Sequence, residues 1–247
     1  MGDVWNLVIL DPILNGLIGL SDILGFGLAI IVLTIIVRAI MTPLTLKQMK
    51  STKALQTMQP KMQELQKKYG KNQQKLQQEM SKLYKEAGVN PLGCLWPMLV
   101  QFPVWIALYQ AIIKLVAATP ENLLDLSRHL YSSQAISSAI PVGSQFLWLN
   151  LGQPDFVLGI LVAGTMWVQQ KMTTAPSIDP AQRQMSSMML LMTPLMFGFF
   201  ALMFPSGLAL FWLVSNLIGI VIQYFLGGGW GYLKLRSTNM VPKGASK

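Results

Sequence analysis

One arginine stands inside a stretch that is otherwise fit for lipid. The run from Ile23 to Leu46 holds 24 residues, and Arg38 is its only charge. A helix rises about 1.5 Å per residue, so the run covers about 36 Å, enough to cross a hydrocarbon core of roughly 30 Å. Lys47, the first charge beyond the run, lies nine residues further on, which puts Arg38 about 13 Å inside that end. On insertion scales a guanidinium at such depth costs about 2.5–3.5 kcal/mol. Two readings stay open. The side chain bends back to the headgroups, or it sits in a polar cavity and works there, which is the default expectation for an intramembrane charge. The chemistry in the second case is capture of an acidic or polar group by a fixed positive charge, with no bond made or broken.

Neutral polar residues accompany it. Thr34 precedes Arg38 by one turn on the same helix face. Other apolar stretches carry Gln101, then Thr165, Gln169 and Gln170, then Ser215, Asn216 and Gln223. Each alone is an ordinary interhelical hydrogen bond, worth about 0.6 kcal/mol on average. Taken together with Arg38 they fit a hydrated pocket. No Asp or Glu lies in any span, so water, neutral side chains, a lipid phosphate or an incoming acidic group must satisfy the arginine.

The elements that hold these residues follow from composition. The chain is 52% hydrophobic and 12% charged, about half the charge of a soluble domain. This marks an all-α integral membrane protein, with repeated spans forming one core domain. Five spans read at 23–46, 93–117, 156–172, 188–204 and 207–226. The third and fourth hold 17 residues each, about 25 Å of helix, short enough to thin a bilayer locally. The single Cys94 and single His129 exclude an internal disulfide and a Cys- or His-cluster metal site. No phosphate-binding Gly-rich loop, HExxH or GxSxG occurs. We therefore expect no enzyme activity, cofactor or catalytic residue.

Basic residues are unevenly distributed. Residues 47–90 hold ten lysines, the tail 227–247 adds Lys234, Arg236, Lys243 and Lys247, and Arg183 lies in the 173–187 loop. Residues 1–22 hold none, and the 118–155 loop has only Arg128. The positive-inside rule then puts the N-terminus outside and the C-terminus in the cytosol. The net charge of +9 describes that cytosolic face and gives no separate evidence for nucleic acid. Residues 1–22 lack the basic start of a signal peptide. Their apolar residues, interleaved with Asp3, Asp11 and Asp22, read as a helix lying on the outer membrane surface; the alternative is a segment that simply leads into the first span.

In 47–90, Leu55, Met58, Met62, Leu65 and Tyr69, then Leu76, Met80, Leu83 and Ala87, follow helix-seam spacings. Gly70-Lys71-Asn72 supplies a turn between them. This reads as a short-seamed, mobile antiparallel hairpin in the cytosol, with Pro60 at the first turn of a new helix or at a kink. It is either a solvated connector or a docking face for anionic lipid or ribosomal RNA. Six methionines from Met185 to Met203 gather around the fourth span, as core filling or as a surface for promiscuous apolar contacts.

Four stretches carry a family resemblance: TIIVRAIMTPLTLKQMKSTKALQTMQPKMQELQKKY (34–69), NPLGCLWPMLVQFPVWIALYQAI (90–112), FLWLNLGQPD (146–155) and FPSGLALFWLVSNL (204–217). In order and spacing the chain resembles the YidC/Oxa/Alb membrane-protein insertases, from the first span to the end of the fifth. The resemblance implies a five-helix core with a cytosolic hairpin and a hydrophilic groove open to cytosol and lipid but closed outside. It implies that Arg38 is the groove arginine and Thr34 the groove threonine. It matches Gln101 and Trp167 to groove-lining positions and Phe211 and Trp212 to an aromatic pair that contacts substrate. Neither of that pair is Tyr here, which removes two hydroxyls. Gln169 and Asn216 complete the expected substrate groove. The large periplasmic domain of some bacterial members and the lipoprotein-type signal of many Gram-positive ones are not seen.

The function expected is insertion and folding of integral membrane proteins without ATP hydrolysis, in the plasma membrane of a bacterium. A polar or acidic substrate segment meets Arg38 while apolar substrate helices slide along the third and fifth spans. Expected partners are nascent membrane proteins, the ribosome through the basic hairpin and tail, the Sec translocon and the lipid bilayer, with the protein acting as a monomer and binding no specific DNA. A small-solute transporter and a purely structural subunit are the rival readings. The first generally needs intramembrane acids and inverted repeats, and neither is visible.

Overall fold

The computed structural model describes residues 2–70, 72–86, 88, 96–116, 129, 142–174, 180–227 and 230. Lys71, Cys94, Arg128, the 175–179 stretch and nearly all of the basic tail lie outside the described residues. The elements are α1 (Gly2–Trp5), a π-helical turn (Asn6–Leu10), α2 (Asp11–Leu24), α3 (Phe26–Tyr69), α4 (Gln73–Glu86), α5 (Trp96–Val116), β1 (Gln145–Phe146), β2 (Leu149–Asn150), α6 (Phe156–Thr173), α7 (Pro180–Ala201) and α8 (Ser206–Gly227).

The N-terminal segment widens into a π turn just before Pro12, where the Asp11 N–H reaches back to the Asn6 carbonyl. Proline has no N–H to continue the ordinary ladder, so a wider turn is a natural entry to α2. In α2 the buried residues are Leu14, Asn15, Leu17 and Ile18, and Leu10 precedes them one turn earlier. That is one apolar stripe, and it packs on α3 and α5. Pro12, Gly19, Ile23 and Leu24 face away. The connection to α3 is Gly25 alone, at φ 80° and ψ 157°, a conformation open to glycine and costly for other residues.

α3 is continuous over 44 residues, about 66 Å. It crosses the apolar layer and runs on as the first arm of the hairpin. Pro60 therefore begins no new helix; Pro43 and Pro60 both lie inside α3. Asn72 starts the second arm, α4, by accepting the Lys75 N–H at 3.0 Å, as N-cap residues do. The arms touch where the Tyr84 hydroxyl lies 4.0 Å from the Met62 sulfur. α4 buries no residue, as its short seam implies.

α8 is the central helix. It packs on α3, α5, α6 and α7 and is the most deeply buried of the long apolar helices. α6 runs antiparallel to α7 and parallel to α8. Gln170 reaches Met189 while Gly159 meets Gly198, and Asn216 meets Val162 while Gly219 meets Gln169. The α6–α7 contact is a small-residue crossing. A Cβ on Gly198 would stand 2.9 Å from the Ala163 Cβ and 3.3 Å from the Gly159 carbonyl oxygen. Backbones approach this closely in membranes because no large side chain intervenes.

α7 starts at Pro180, eight residues before the expected fourth span, and ends at Ala201. Its 22 residues make about 33 Å, so this helix is not short. α6, with 18 residues and about 27 Å, still is. Among the described residues, five stretches are long and apolar enough to cross a membrane: 6–24, 26–54, 99–116, 184–201 and 206–226. α6 is missing from that set because Gln169, Gln170 and Lys171 make its last turns polar, yet it is wedged between α7 and α8.

At the end of the bundle opposite the α3–α4 hairpin, residues 142–155 form a cap. Gln145 pairs with Asn150 and Phe146 with Leu149 in a two-stranded hairpin. The Phe146 ring lies directly on Gly27 of α3. The Ser206 hydroxyl donates to the Asn150 carbonyl at 2.7 Å, and the Ser206 and Gly207 N–H groups donate to Gln153 and Leu151 at 2.9 and 3.0 Å. Asp155 caps α6 by accepting the Leu158 N–H at 2.7 Å. The first backbone donors of α8, orphaned in any helix, are thus used to bind the cap.

Candidate functional site

Arg38 lies on the part of α3 that also buries Phe26, Ile30, Thr34 and Met41, a stripe of one helix face. Its side chain is half-buried and its Nε is buried, with no hydrogen-bond partner among the described residues. Among the described residues no ion pair involves it. Thr34 is fully buried, and its hydroxyl donates to the Ile30 carbonyl at 2.6 Å. That proton is committed to its own helix, so Thr34 can accept a further hydrogen bond but not donate one.

The structure separates the remaining candidates into three kinds. Asn216 is an interhelical clamp: its amide donates to Thr165 Oγ1 at 3.2 Å and to the Val162 carbonyl at 3.4 Å, joining α8 to α6. Gln169 lies against Gly219 of α8, where a Cβ would collide with its amide. Gln101 is half-buried and Trp167 is 39% exposed, so both are within reach from outside the core. Phe211 and Trp212 are buried, at 3% and 7% exposure. Trp212 meets Trp105 at a tilt, 5.4 Å between ring centres, and Phe197 edge-on at 5.3 Å. Among the described residues no hydrogen bond links Arg38 to Gln101, Gln169 or Asn216.

A polar signal emerges from the packing. Among the described residues five buried side-chain polar atoms lack a protein partner: Gln63 Nε2 on the hairpin arm of α3, and in the helical bundle Arg38 Nε from α3, Trp105 Nε1 from α5, Gln170 Oε1 from α6 and Ser215 Oγ from α8. Buried polar atoms are rarely left unbonded, and each costs about 1–3 kcal/mol when it is. Each needs water or an incoming polar group to satisfy it. Trp105 went unnoticed in the sequence. Its signal is the aromatic spacing of Phe102, Trp105 and Tyr109, which builds a cluster with Phe204 and Trp212.

α7 exposes more large apolar side chains than any other helix, and Met203 lies just beyond its end. Met185, Met188, Met189, Met192 and Met196 on it, and Met203 beyond it, are exposed, and little of this helix is buried in the protein. Core filling is therefore not their role. The fifth span, α8, is the most buried instead. Two concavities of about 320 and 510 Å³ lie between the N-terminal segment and α5, the first lined by Trp5, Gln110, Lys114 and His129 and the second by Val8, Ile13, Leu99 and Val104. Neither includes Arg38.

These features define a class: a multi-pass helical membrane protein that keeps a cation and unbonded polar atoms inside its bundle and caps one end of it. Comparison narrows the class. Residues 19–228 match the family described as 60Kd inner membrane protein, and the chain belongs to that family. It is 39% identical to the membrane protein insertase YidC of Oceanobacillus iheyensis, over 90% of this chain and 83% of the relative. It is 38% identical to YidC 2 of Bacillus anthracis, over 91% and 82%. It is 39% identical to YidC of Haemophilus influenzae over 91% of this chain, but covers 38% of that longer protein. A solved structure described as an active YidC insertase with its first transmembrane domain resolved superposes with a TM-score of 0.58 at 27% identity, covering 87% of this chain and 46% of that one.

Proposed function

We propose that this protein inserts integral membrane proteins into the bacterial inner membrane and helps them fold, without hydrolysing ATP. The family relationship supports the reading, and the unpartnered buried Nε of Arg38 is the observation that carries it. A polar or acidic segment of a substrate enters the bundle from the hairpin end and is held by Arg38, Thr34 accepting a bond beside it. Gln101, Gln169 and Trp167 line its path. Asn216, Phe211 and Trp212 hold the walls in this conformation and meet substrate when α8 shifts. Apolar substrate helices leave along α7, whose methionine stripe adapts to varied side chains, rather than along α6 and α8. The energy comes from burial: a 20-residue apolar span releases several kcal/mol, enough to offset passage of a short polar tail.

The hairpin and basic tail face the cytosol and meet the ribosome, on the argument of ten lysines in 47–90 against none in 1–22. The N-terminal helix α2 lies at the outer interface. The protein works as a monomer, alone or beside the Sec translocon. Purified protein in liposomes tests this reading. It should convert a translated single-span substrate to a protease-protected form without added nucleotide, and should pass no small ions. Solute flux with no protection of substrate would support a transporter instead.

A further inference from the structure

The β1–β2 turn places its least suitable residue at its most exposed point. Leu147 has φ 55°, a region that hairpin turns normally assign to Gly, Asn or Asp and that is an outlier for a bulky residue. The side chain is 75% exposed, and Trp148 beside it is 60% exposed. Strain of this kind persists where the surroundings enforce it and a function uses it. The enforcement is visible. Leu149 and Leu151 are buried on either side of Asn150, Phe146 is seated on Gly27, and Ser206 and Gly207 hold the strand end and the residues just after it, at Asn150, Leu151 and Gln153, by three hydrogen bonds. The tip is a rigid apolar projection from the ends of α3 and α8.

Its surroundings identify what it meets. Residues 130–154 contain no charge. At the first turn of α6, directly after the cap, Phe156 and Val157 are 68% and 51% exposed, so apolar surface begins at the level of the cap. Indole rings favour the boundary between headgroups and acyl chains. We propose that Leu147 and Trp148 form a lipid anchor that dips into this boundary in the leaflet opposite the α3–α4 hairpin. Through the bonds to α8 and the Phe146–Gly27 contact it fixes how deep α3 and α8, and with them Arg38, sit in the bilayer.

Site-directed spin labelling tests this in the full chain. In a Cys94→Ala background, Leu147→Cys and, as a reference on the same hairpin, Gln145→Cys are labelled in vesicles of phosphatidylethanolamine and phosphatidylglycerol. The ratio of oxygen to aqueous nickel-chelate collisions should be several-fold higher at 147 than at 145. Equal nickel access at both would put the tip in water and overturn the anchor. Shielding of 147 from both reagents would mean that protein covers it, which also overturns it. The pair Leu147→Asn and Trp148→Asn, made together, relieves the backbone while removing the apolar tip. It should keep the helical melting temperature in detergent but shift the depth of a label at Ile40, which is exposed on α3. An unchanged depth at Ile40 would refute the depth-setting role.

Discussion

Replacing Arg38 separates a charge that acts on substrate from one that only anchors its helix. The structure sets the expected stability change. Removing one member of a buried ion pair costs about 3–5 kcal/mol because the partner is left stranded. Among the described residues Arg38 has no such partner and its Nε is unbonded, so Arg38→Ala should leave the folded bundle with an unchanged or higher melting temperature in detergent. The effect on function is set by Coulomb attraction to an acidic segment. At about 4 Å that is about 1 kcal/mol in water and about 4 kcal/mol at an effective dielectric constant of 20. A half-buried guanidinium lies between those limits, so insertion of a substrate with an acidic translocated tail should fall by roughly tenfold or more in Arg38→Ala. Arg38→Lys should keep much of the activity, since a point charge remains, and Arg38→Glu should lose the most. Substrates with neutral tails should be affected least. The assay is protease protection in proteoliposomes over a set of substrates, with folding checked by thermal melting. Full activity of Arg38→Ala across the acidic-tail set would refute the reasoning and leave the snorkelling anchor as the account of this residue.

Other parts of the fold give their own tests. Gly198→Leu should destabilise the bundle by about 1–3 kcal/mol, since the added Cβ meets the Ala163 Cβ at 2.9 Å and neither can rotate away; an unchanged melting temperature would show that the α6–α7 contact is looser than described. Asp155→Ala should cost about 1 kcal/mol through loss of the α6 cap, and Asp155→Asn should recover most of it, whereas equal loss in both would point away from capping. Deleting Lys61–Lys85 with a short linker should leave the membrane core folded, because α4 buries nothing, while substrate capture from ribosomes falls; a core that no longer folds would contradict the first half, and unchanged capture the second.

The sequence made most legible whatever depends on period and charge. The apolar runs located the helices, and the isolation of Arg38 singled it out without any neighbour being known. Boundaries shifted where composition and helix formation diverge. α7 extends back to Pro180 because proline is well placed at a first helical position and the polar residues after it still form helix, although hydropathy begins later. α3 runs through Pro60 because the flanking residues hold helix on both sides of one lost hydrogen bond. Tertiary roles were the least legible. Nothing local distinguishes Asn216, an interhelical clamp, from Gln101, which has no bond to Arg38. The partners of Asn216 lie more than fifty positions away in the chain. The methionines around the fourth span looked like core because methionine usually is, and only the packing of α7, chiefly on α6 and little on α8, leaves them outside. The aromatic spacing of Phe102, Trp105 and Tyr109 marks Trp105, but nothing in it shows that its N–H lacks a partner among the described residues.

Photocrosslinking to a stalled nascent chain tests the central claim most directly. A photoreactive residue at Gln101 or Trp167, both reachable from outside the core, should crosslink the polar segment that precedes the first apolar span of a ribosome-bound substrate. The same probe at Leu147, on the opposite end of the bundle, should not. The crosslinks at 101 and 167 should weaken when Arg38→Glu is added and the segment is acidic. Crosslinking at neither position, or crosslinks as strong at 147 and unaffected by the charge at 38, would contradict a substrate groove organised around Arg38.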